Sequence, residues 1–556
     1  RQMCIRDRAY TNTHIIFTHE KNVDENYQIC MVDLQTETVK EITKDDGTQS
    51  RIVAISPKFP EEIVVAINNR SPKYHDLFRV HLITGEMKLL STNDSFLDLL
   101  VDNDLQTRIG VKIKPNGNFE QYLLKDGKWQ LWDTIPDEDF STNTAFWGFD
   151  KTNENIYLTD CRGTDTAGLK KINLETKEAT LLFVDPRCDV HDVILHPVKK
   201  YPQAVSYVYD RTEWQILDPE IKPDFEYLLN QDLGDMEVQS RSLDNSYWVV
   251  KYVSDTLDPY YCLYDRAKCK ISHLVTPNID LAFEPTVKMY SKVIKSRDDL
   301  DLLLYYSLPY NSDSTCRGIP EKPIPMVVII HGGQWERDFW GYNPHHQLFA
   351  NRGYAVLSVN FRASTGFGKH FCNKGDLEWG GKIMEDIIDA VNWAISQDIA
   401  DVNKIAIMGH SFGGYAALSG LTFYPELFAC GIDISGPSNL TTLLKNMPPY
   451  WEPYREKQLK RVGDYRTVEG RKLLRKQSPI THVDRICRPL LIFHGGQDPR
   501  EKQSEANQII ESIKRKKIPV TYAVFPNYGH DFFNINIQES LLINAIIEQF
   551  LSKWLG

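Results

Sequence analysis

Several features that would assign this 556-residue chain to other classes of protein are missing from its sequence. No apolar run approaches the eighteen or so residues that a helix needs to cross a bilayer, so no membrane association is implied. The ten cysteines are scattered, without C-x-x-C pairs or Cys/His clusters at metal-binding spacing, so no metal or redox cofactor is implied. Acidic residues outnumber basic ones, and the net charge of -11 argues against nonspecific nucleic-acid binding. The length allows two sizeable cores.

The start of the chain is unusual. It begins with Arg1 rather than Met, and residues 1–8 fit no structural pattern around them and resemble a translated sequencing adapter. We expect these residues to be non-native and the native start to be missing, which leaves export open. Scattered cysteines are typical of reduced, buried thiols, and on that basis we expect a cytoplasmic protein. The sequence leaves homo-oligomerisation open.

Short alternating strands with polar turns recur through the first half of the chain. Successive turns lie about 45 to 48 residues apart, which is the length of a four-stranded propeller blade. We therefore predict an all-β propeller over residues 9–285, truncated at its N-terminus, with six visible repeats; whether a seventh is partly lost upstream stays open, and an array of β-sandwiches is the alternative. The turns are at residues 33–37, 81–86, 125–128, 173–177, 218–220 and 265–268.

The pattern changes near residue 285. Residues 292–300 predict a hairpin, and strands alternate with helices from Pro323 onward. Residues 381–393 have helical spacing, with four aliphatic side chains on one face. This alternation predicts a doubly wound, mainly parallel sheet over residues 286–556, the arrangement of an α/β-hydrolase domain.

Ser411 lies at the centre of a Gly-His-Ser-Phe-Gly segment, 409–413. An apolar run, 404–408, precedes it, and a helix-like stretch, 414–421, follows it. This spacing is typical of a nucleophile on a strained strand-to-helix turn, where glycines let strand and helix pack closely. The helix N-terminus favours a developing oxyanion. The alternative is a tight turn without catalytic function.

A serine nucleophile needs a base and an acid, in the chain order Ser, Asp, His. Asp498 follows the apolar strand 489–496, and His530 follows the strand 520–525. Because strand ends of an open α/β sheet share one edge, we expect both residues beside Ser411. Asp498 can instead be a turn residue before a proline, and His530 a surface histidine. Rival bases and acids are His331, His410 and His494, and Asp484 and Asp531.

An oxyanion hole is predicted at a third strand end. Residues 326–330 form a short apolar run followed by His331-Gly332-Gly333. This resembles the HGG-type loop whose backbone N–H pairs with the amide after the nucleophile. We assign the hole to the amides of Gly333 and Phe412.

With these motifs behind a propeller, the chain resembles the prolyl oligopeptidase family of serine peptidases, in particular its acylaminoacyl-peptidase and dipeptidyl-aminopeptidase-like branch. The resemblance is specific over residues 290–556 and architectural before them. It is carried by 331–333, 360–368, 378–382, 409–415, 448–453, 478–480, 498–500 and 529–530.

The resemblance implies that Ser411, Asp498 and His530 form a triad and that the propeller covers it, so that only short peptides enter. Family members release acylated amino acids or dipeptides from N-termini, or cut short peptides internally. By position, Tyr450, Trp451 and Tyr454 are expected to form the pocket for the residue before the cut bond; an exposed loop packed on the propeller is the alternative. Four positions depart from the family pattern: Gln334, Glu501, Tyr528 and Asp531.

Two other functions remain open at this stage. A carboxylesterase would use the same three residues, because acyl transfer to esters and amides needs the same groups. A non-catalytic propeller interaction protein would keep the fold without turnover. The leading prediction is a serine peptidase that cleaves short peptides near their N-terminus.

Overall fold

The computed structural model describes residues 4–8, 10–44, 47–139, 144–278, 284–315, 317–516, 518–531 and 537–556. The described strands before residue 280 form six separate antiparallel sheets, five of four strands and one of three. The six predicted repeats are thereby confirmed as six blades of a β-propeller. Cys4–Arg8 is the first strand of the first blade and pairs with the second strand of that blade. That residues 1–8 are non-native stays a prediction.

The blades follow one another in chain order. The first contains β1 (Cys4–Arg8), β2 (His14–Glu20), β3 (Tyr27–Asp33) and β4 (Val39–Glu41), and the second β5 (Ser50–Ile55), β6 (Glu62–Ser71), β7 (Tyr74–His81) and β8 (Met87–Ser91). The third contains β9 (Asp98–Val101), β10 (Thr107–Ile113), β11 (Phe119–Lys125) and β12 (Lys128–Ile135), and the fourth β13 (Ala145–Phe149), β14 (Asn155–Asp160), β15 (Gly168–Asn173) and β16 (Ala179–Phe183). The fifth contains β17 (Val190–Leu195), β18 (Pro202–Val208) and β19 (Thr212–Ile216), and the sixth β20 (Asp235–Arg241), β21 (Tyr247–Val253), β22 (Tyr260–Asp265) and β23 (Lys270–Val275).

Five of the six predicted turns join the third and fourth strands of a blade. The fifth turn, 218–220, leads instead into helix α1 (Lys222–Leu229). Pro219 and Pro223 lack the N–H that a ladder strand must donate, and the Asp218 carboxylate accepts a hydrogen bond from Glu220 N at the start of the helical segment. A helix therefore covers the fifth blade where a fourth strand would lie.

Apolar clusters lie between consecutive blades. Ile16 and Ile29 of the first blade pack with Val65 and Val80 of the second, all of them buried. Similar clusters join the second blade to the third, the third to the fourth, the fourth to the fifth and the fifth to the sixth. Each inner blade therefore has apolar side chains on both of its faces, one face packing on the preceding blade and the other on the following blade.

The second domain contains one eight-stranded sheet, ordered β24-β25-β27-β26-β28-β29-β30-β31. Its strands from β27 to β31 are parallel, and β24 and β25 form the predicted antiparallel hairpin at one edge. The strands are β24 (Met289–Lys295), β25 (Asp301–Ser307), β26 (Ile324–Ile330), β27 (Ala355–Asn360), β28 (Ala400–His410), β29 (Cys430–Ile434), β30 (Leu490–Gly495) and β31 (Val520–Phe525).

Helices cover both faces of this sheet, as a doubly wound fold requires. Those between the strands are α2 (Pro344–Asn351), α3 (Gly368–Asn373), α4 (Lys382–Ser396), α5 (Phe412–Phe423), α6 (Leu440–Lys445), α7 (Arg455–Val462), α8 (Val468–Gln477) and α9 (Ser504–Lys514), and α10 (Ile537–Leu555) ends the chain. One core holds residues of α4, α5 and α9, and a second core holds residues of α2 and α10. None of the described helices combines the length and the apolar character needed to span a membrane.

The hydrolase domain binds the propeller through side chains that donate to main-chain carbonyls. Arg337 Nη1 and Nη2 donate to Val208 O and Tyr209 O at 2.8 and 2.6 Å. Tyr305 Oη donates to Asp210 O at 2.8 Å. At the third blade, Lys460, Asn373 and Arg461 donate to Asn116 O, Glu138 O and Asp137 O. The last propeller strand ends at Val275 and the first strand of the large sheet begins at Met289. The predicted boundary at residue 285 lies between them.

Candidate active site

Ser411 stands at the turn between β28 and α5 with backbone angles φ 57° and ψ -118°. A side-chain-bearing residue rarely adopts a positive φ, and such strain costs about 1–3 kcal/mol where surrounding packing maintains it. The neighbouring glycines make the turn feasible. A Cβ on Gly409 would lie 2.5 Å from Gly413 Cα, and a Cβ on Gly413 would lie 2.0 Å from Ile330 O. The Gly-x-Ser-x-Gly spacing therefore reflects backbone contacts that no side chain allows.

The turn is held from both sides. Ser411 N donates to Ile434 O of the neighbouring strand β29 at 2.8 Å. Helix α5 begins immediately after the serine, and eleven of its twelve residues are buried. Its free N-terminal N–H groups and dipole are directed to the turn, where they favour negative charge.

His530 and Asp498 form a buried pair beside this turn. His530 Nδ1 lies 2.8 Å from Asp498 Oδ2, and the side chains are 5% and 0% exposed. Burial alone would lower the pKa of His530, but the charges and hydrogen bonds of Glu501 and Asp498 raise it to about 10. For Asp498, burial acts to raise the pKa, but the hydrogen bond and charge of His530, together with the hydrogen bond from Glu501 N, lower it overall.

A second carboxylate, Glu501, also contacts His530. Its Oε2 lies 2.8 Å from His530 Nδ1, and its Oε1 accepts a long hydrogen bond from Ser411 Oγ at 3.5 Å. Sequence reasoning missed this contact. Its one signal is that Glu501 stands where the family usually has an apolar residue.

The loop predicted to supply the oxyanion hole lies directly against Ser411. A Cβ on Gly332 would be 3.7 Å from Ser411 Cβ. In the described part of the chain, neither Gly333 N nor Phe412 N has a hydrogen-bond acceptor, so both donors are available to a substrate. The Phe412 ring packs on Phe361 and Trp379, with ring centroids 5.2 and 4.8 Å apart, which fixes the first residue of α5.

The rival histidines have structural partners. His410 Nε2 donates to His530 O at 2.7 Å, and His494 Nε2 donates to Glu501 O at 2.9 Å. His331 bonds Gly332 O and Ser364 Oγ, both at 3.0 Å. Burial lowers the pKa of His410 to about 3 and that of His331 to about 4, so both are neutral at pH 7. The rival acids Asp484 and Asp531 are exposed.

Ser411, Glu501 and His530 line one cavity of about 510 Å³. Gly333 and Phe412 line it as well, and Gln334 contributes a buried Oε1 that has no partner among the described residues. The apolar part of the wall comes from Trp335, Trp379, Leu443, Leu444, Met447, Trp451 and Val462.

Of the three predicted pocket aromatics, only Trp451 belongs to this cavity. Tyr450 donates through its Oη to Glu25 Oε2 at 2.5 Å, and Tyr454 lines a separate cavity between α7 and the propeller. Their assignment to the substrate pocket stays a prediction.

A propeller loop, 21–26, approaches the cavity from the first blade. Glu25 Oε1 lies 2.7 Å from Nε of Arg500, which lines the cavity. Val23 O would lie 2.2 Å from a Cβ on Gly529, the residue before His530. Val23 and Glu25 both have positive φ angles, 52° and 63°, which is uncommon and, for a β-branched residue, strained. No local pattern in the sequence predicts this contact, because 475 positions separate Glu25 from Arg500.

One group of acidic and histidine side chains in the described residues has its oxygen and nitrogen atoms within 4.8 Å of one another: Asp498, Glu501 and His530. His530 Nδ1 lies 2.8 Å from an oxygen of each carboxylate, which accounts for their closeness. The group therefore requires no metal ion.

Comparison with known proteins agrees with this geometry. Residues 340–556 match the model of the prolyl oligopeptidase family. Dipeptidyl aminopeptidase BIII of Pseudoxanthomonas mexicana is 41% identical over 99% of this chain and 79% of its own length. The chain belongs to the prolyl oligopeptidase family. Dipeptidyl peptidase family member 6 of Caenorhabditis elegans is 33% identical, over 98% of this chain and 77% of its own length.

Among solved structures, a Mycobacterium tuberculosis puromycin-hydrolyzing peptidase has the same fold. Its TM-score is 0.75 at 17% identity, over 98% of this chain and 85% of that one. Membership of the prolyl oligopeptidase family makes this chain a serine-type peptidase, a hydrolase of peptide bonds.

Proposed function

We propose that this peptidase releases dipeptides from the free N-termini of short peptides. The observation that carries the proposal is the contact of Glu25, a propeller carboxylate, with Arg500 in the wall of the cavity that contains Ser411. A dipeptidyl aminopeptidase must hold a substrate ammonium group at a fixed distance from its nucleophile, and a carboxylate from the covering domain suits that role. The relative that is 41% identical is itself named a dipeptidyl aminopeptidase.

In the proposed reaction, Ser411 attacks the carbonyl of the second residue and His530 takes the hydroxyl proton. His530 then gives this proton to the leaving amine, and water hydrolyses the acyl-enzyme. Asp498 holds the imidazole, and the amides of Gly333 and Phe412 bind the oxyanion. Three observations support these roles: the strained φ of Ser411, the 2.8 Å contact of Asp498 with His530, and the lack of an acceptor for the Gly333 and Phe412 amides among the described residues.

The charge around Glu25 supports selection for a free amine. Glu20 accepts a hydrogen bond from Glu25 N, and Asp24 is next in the chain, while Arg500 is the cation in contact with Glu25. Burial, more than the neighbouring carboxylates, raises the pKa of Glu20. An excess of carboxylates attracts an ammonium group and repels a peptide C-terminus. The apolar cavity wall favours an uncharged second residue.

The test compares matched p-nitroanilides that carry a free dipeptide or its N-acetylated form. We expect cleavage mainly of the free set, and none of either set by Ser411→Ala, which should remain folded because, among the described residues, Ser411 Oγ makes a single, long hydrogen bond. Preference for the acetylated set would indicate an acylaminoacyl peptidase. Cleavage of a short ester without either anilide would indicate an esterase.

The role of Glu25 has its own variant. Glu25→Gln removes the charge and keeps the shape, and a hydrogen bond to a charged group is worth about 1.5–3 kcal/mol, so kcat/KM for free dipeptides should fall about 10- to 100-fold. Cleavage of acetylated substrates should change little. Glu86→Gln, in an exposed turn of the second blade, is the control. Equal losses for both substrate sets would contradict the assignment.

We further propose that the protein functions in a reducing compartment such as the cytoplasm. The eight cysteines whose side chains the structure describes are free thiols, and six of them are buried. Alkylation of the native protein from cells, followed by mass spectrometry, tests this; a disulfide among them would contradict it.

A further inference from the structure

Glu501 is held in the same loop as Asp498. Its N–H donates to Asp498 Oδ1 at 3.0 Å, and its carbonyl accepts from His494 Nε2 at 2.9 Å. The side chain is 6% exposed, so the carboxylate is withdrawn from water although it lines the cavity. A buried carboxylate is costly unless a cation or hydrogen-bond donors compensate it, so its partners must be found among its immediate neighbours.

The partner that the geometry supplies is His530. Arg500, the adjacent cation, has its Nε 2.7 Å from Glu25 Oε1, and its charge also acts on Glu501. Among the described residues, Glu501 Oε2 has no hydrogen-bond partner of conventional geometry. The nitrogen His530 Nδ1 nevertheless lies 2.8 Å from it. One imidazole therefore faces two carboxylates at equal distances, since Asp498 Oδ2 is also 2.8 Å from Nδ1.

The other oxygen of Glu501 reaches the nucleophile. Ser411 Oγ donates to Glu501 Oε1 at 3.5 Å, a long and weak bond. One side chain thus touches both residues that exchange a proton in the proposed reaction.

We propose that Glu501 is a positioning residue for His530, a second carboxylate on Nδ1 that shares the role of Asp498 and orients the Ser411 hydroxyl before substrate binds. This inference rests on the proposed roles of Ser411 and His530. It has two measurable consequences, one for the tolerance of Asp498 substitution and one for the pH profile.

The first consequence is redundancy. In a triad with a single carboxylate, replacing that Asp by Asn lowers kcat about 10⁴-fold, because the imidazole adopts the wrong tautomer. With Glu501 still beside Nδ1, Asp498→Asn should cost far less, about 10- to 100-fold in kcat. The double variant Asp498→Asn, Glu501→Gln should show the full loss of about 10⁴-fold.

The second consequence is the pH at which His530 becomes a base. Two neighbouring carboxylates stabilise the imidazolium, so the neutral, proton-accepting form appears only at alkaline pH. Glu501→Gln removes one negative charge, and the acid limb of kcat/KM should move to lower pH by about one unit or more. Among the described residues, Asp498, His410 and His494 also act on His530, Arg500 lines the same cavity and Asp531 follows it in the chain. Further out, Glu25 contacts Arg500 and Asp531 acts on Glu20.

The experiment measures kcat/KM for a free dipeptidyl p-nitroanilide from pH 5.5 to about 11, in the wild type, Glu501→Gln, Asp498→Asn and the double variant. Glu511→Gln, exposed on α9, is the matched control and should leave the profile unchanged. Thermal unfolding shows that each variant is folded. We expect a lower midpoint in Glu501→Gln, and a loss in Asp498→Asn much smaller than in the double variant.

An unchanged midpoint in Glu501→Gln overturns the inference, whatever Asp498→Asn does. Failure of the proposed function is a different result, in which the wild type cleaves no peptide and its Ser411 does not react with a fluorophosphonate. In that case the downfield proton resonance of His530 Nδ1 still tests the contact. A titration midpoint that falls in Glu501→Gln supports it, and an identical midpoint overturns it.

Discussion

Replacing Gly413 by Ala tests how closely the nucleophile turn depends on backbone contact. The added methyl carbon would lie 2.0 Å from Ile330 O and 3.0 Å from Ile330 C, whereas real Cβ contacts essentially never fall below 3.0 Å. Either α5 or the end of β26 must therefore move by about 1 Å. Both elements are buried in the same core and cannot relax freely.

The expected loss follows from what these two elements hold. Ile330 is followed by His331-Gly332-Gly333, and Gly413 is preceded by Ser411 and Phe412. The separation between Ile330 and Gly413 therefore sets the distance between the nucleophile and the glycine loop of the proposed oxyanion hole. A misplacement of about 1 Å can cost about 10²-fold, so kcat should fall about 100-fold. Overpacking should add a stability cost of about 1–3 kcal/mol.

Gly420→Ala is the matched control, since it makes the same change on the same helix. Its Cβ would meet ring and methyl atoms of Phe428 and Ile407 at 3.0 and 3.1 Å, and these side chains can shift by a few tenths of an ångström. Alanine is also the better helix former, by about 1 kcal/mol. Activity on a dipeptidyl p-nitroanilide is measured per site labelled by a fluorophosphonate, with thermal unfolding in parallel. The reasoning is refuted if Gly413→Ala keeps the kcat of Gly420→Ala.

Two further predictions concern buried charges. Arg362, 1% exposed, donates to Asp386 Oδ1 at 2.6 Å and to Asp298 Oδ1 at 2.7 Å, and Asp386 is fully buried. Arg362→Leu should therefore lower the free energy of unfolding, measured in urea, by about 3–5 kcal/mol. The control Arg297→Leu removes a half-exposed ion pair with Asp389 and should lower it by about 0–1 kcal/mol. Similar losses in the two variants would contradict this prediction. Burial raises the pKa of Asp433 to about 8, well above its value of about 3.9 in an unfolded chain. The folded state binds this proton more tightly, so the group's contribution to stability is full below pH ~4 and is lost as pH rises to ~8, by at most about 1.4 kcal/mol per unit. Asp433→Asn should therefore become more stable than the wild type between pH 5 and 8, and a constant difference in urea unfolding would count against it.

The elements around the nucleophile could be predicted because local sequence determines them. The predicted strand 520–525 matches β31. The predicted helix 381–393 starts one residue before α4 does, and Ser411 directly follows strand β28 as expected. Apolar runs of strand length followed by glycine leave few alternatives for the backbone. The same holds for five of the six blade turns.

The features of the site that the sequence could not predict are those that depend on where side chains point after folding. Trp451, Tyr450 and Tyr454 lie within five positions of one another, but a short helical segment turns them to three different environments. The carboxylate of Glu501 was identifiable only as a departure from the family pattern. Its contact with His530 depends on the distance between two loops, which no spacing within the chain encodes.

The domain interface has a consequence for how the two halves can change over evolutionary time. Arg337, Tyr305, Lys460, Asn373 and Arg461 donate to propeller carbonyls, which every residue type carries. Substitutions at Val208, Tyr209 or Asn116 therefore keep the acceptor, provided that the blade backbone is kept. The propeller can therefore change at these positions while those hydrogen bonds persist, whereas Asp137, Asp139 and Glu25, whose carboxylates form ion pairs with the hydrolase domain, are more constrained.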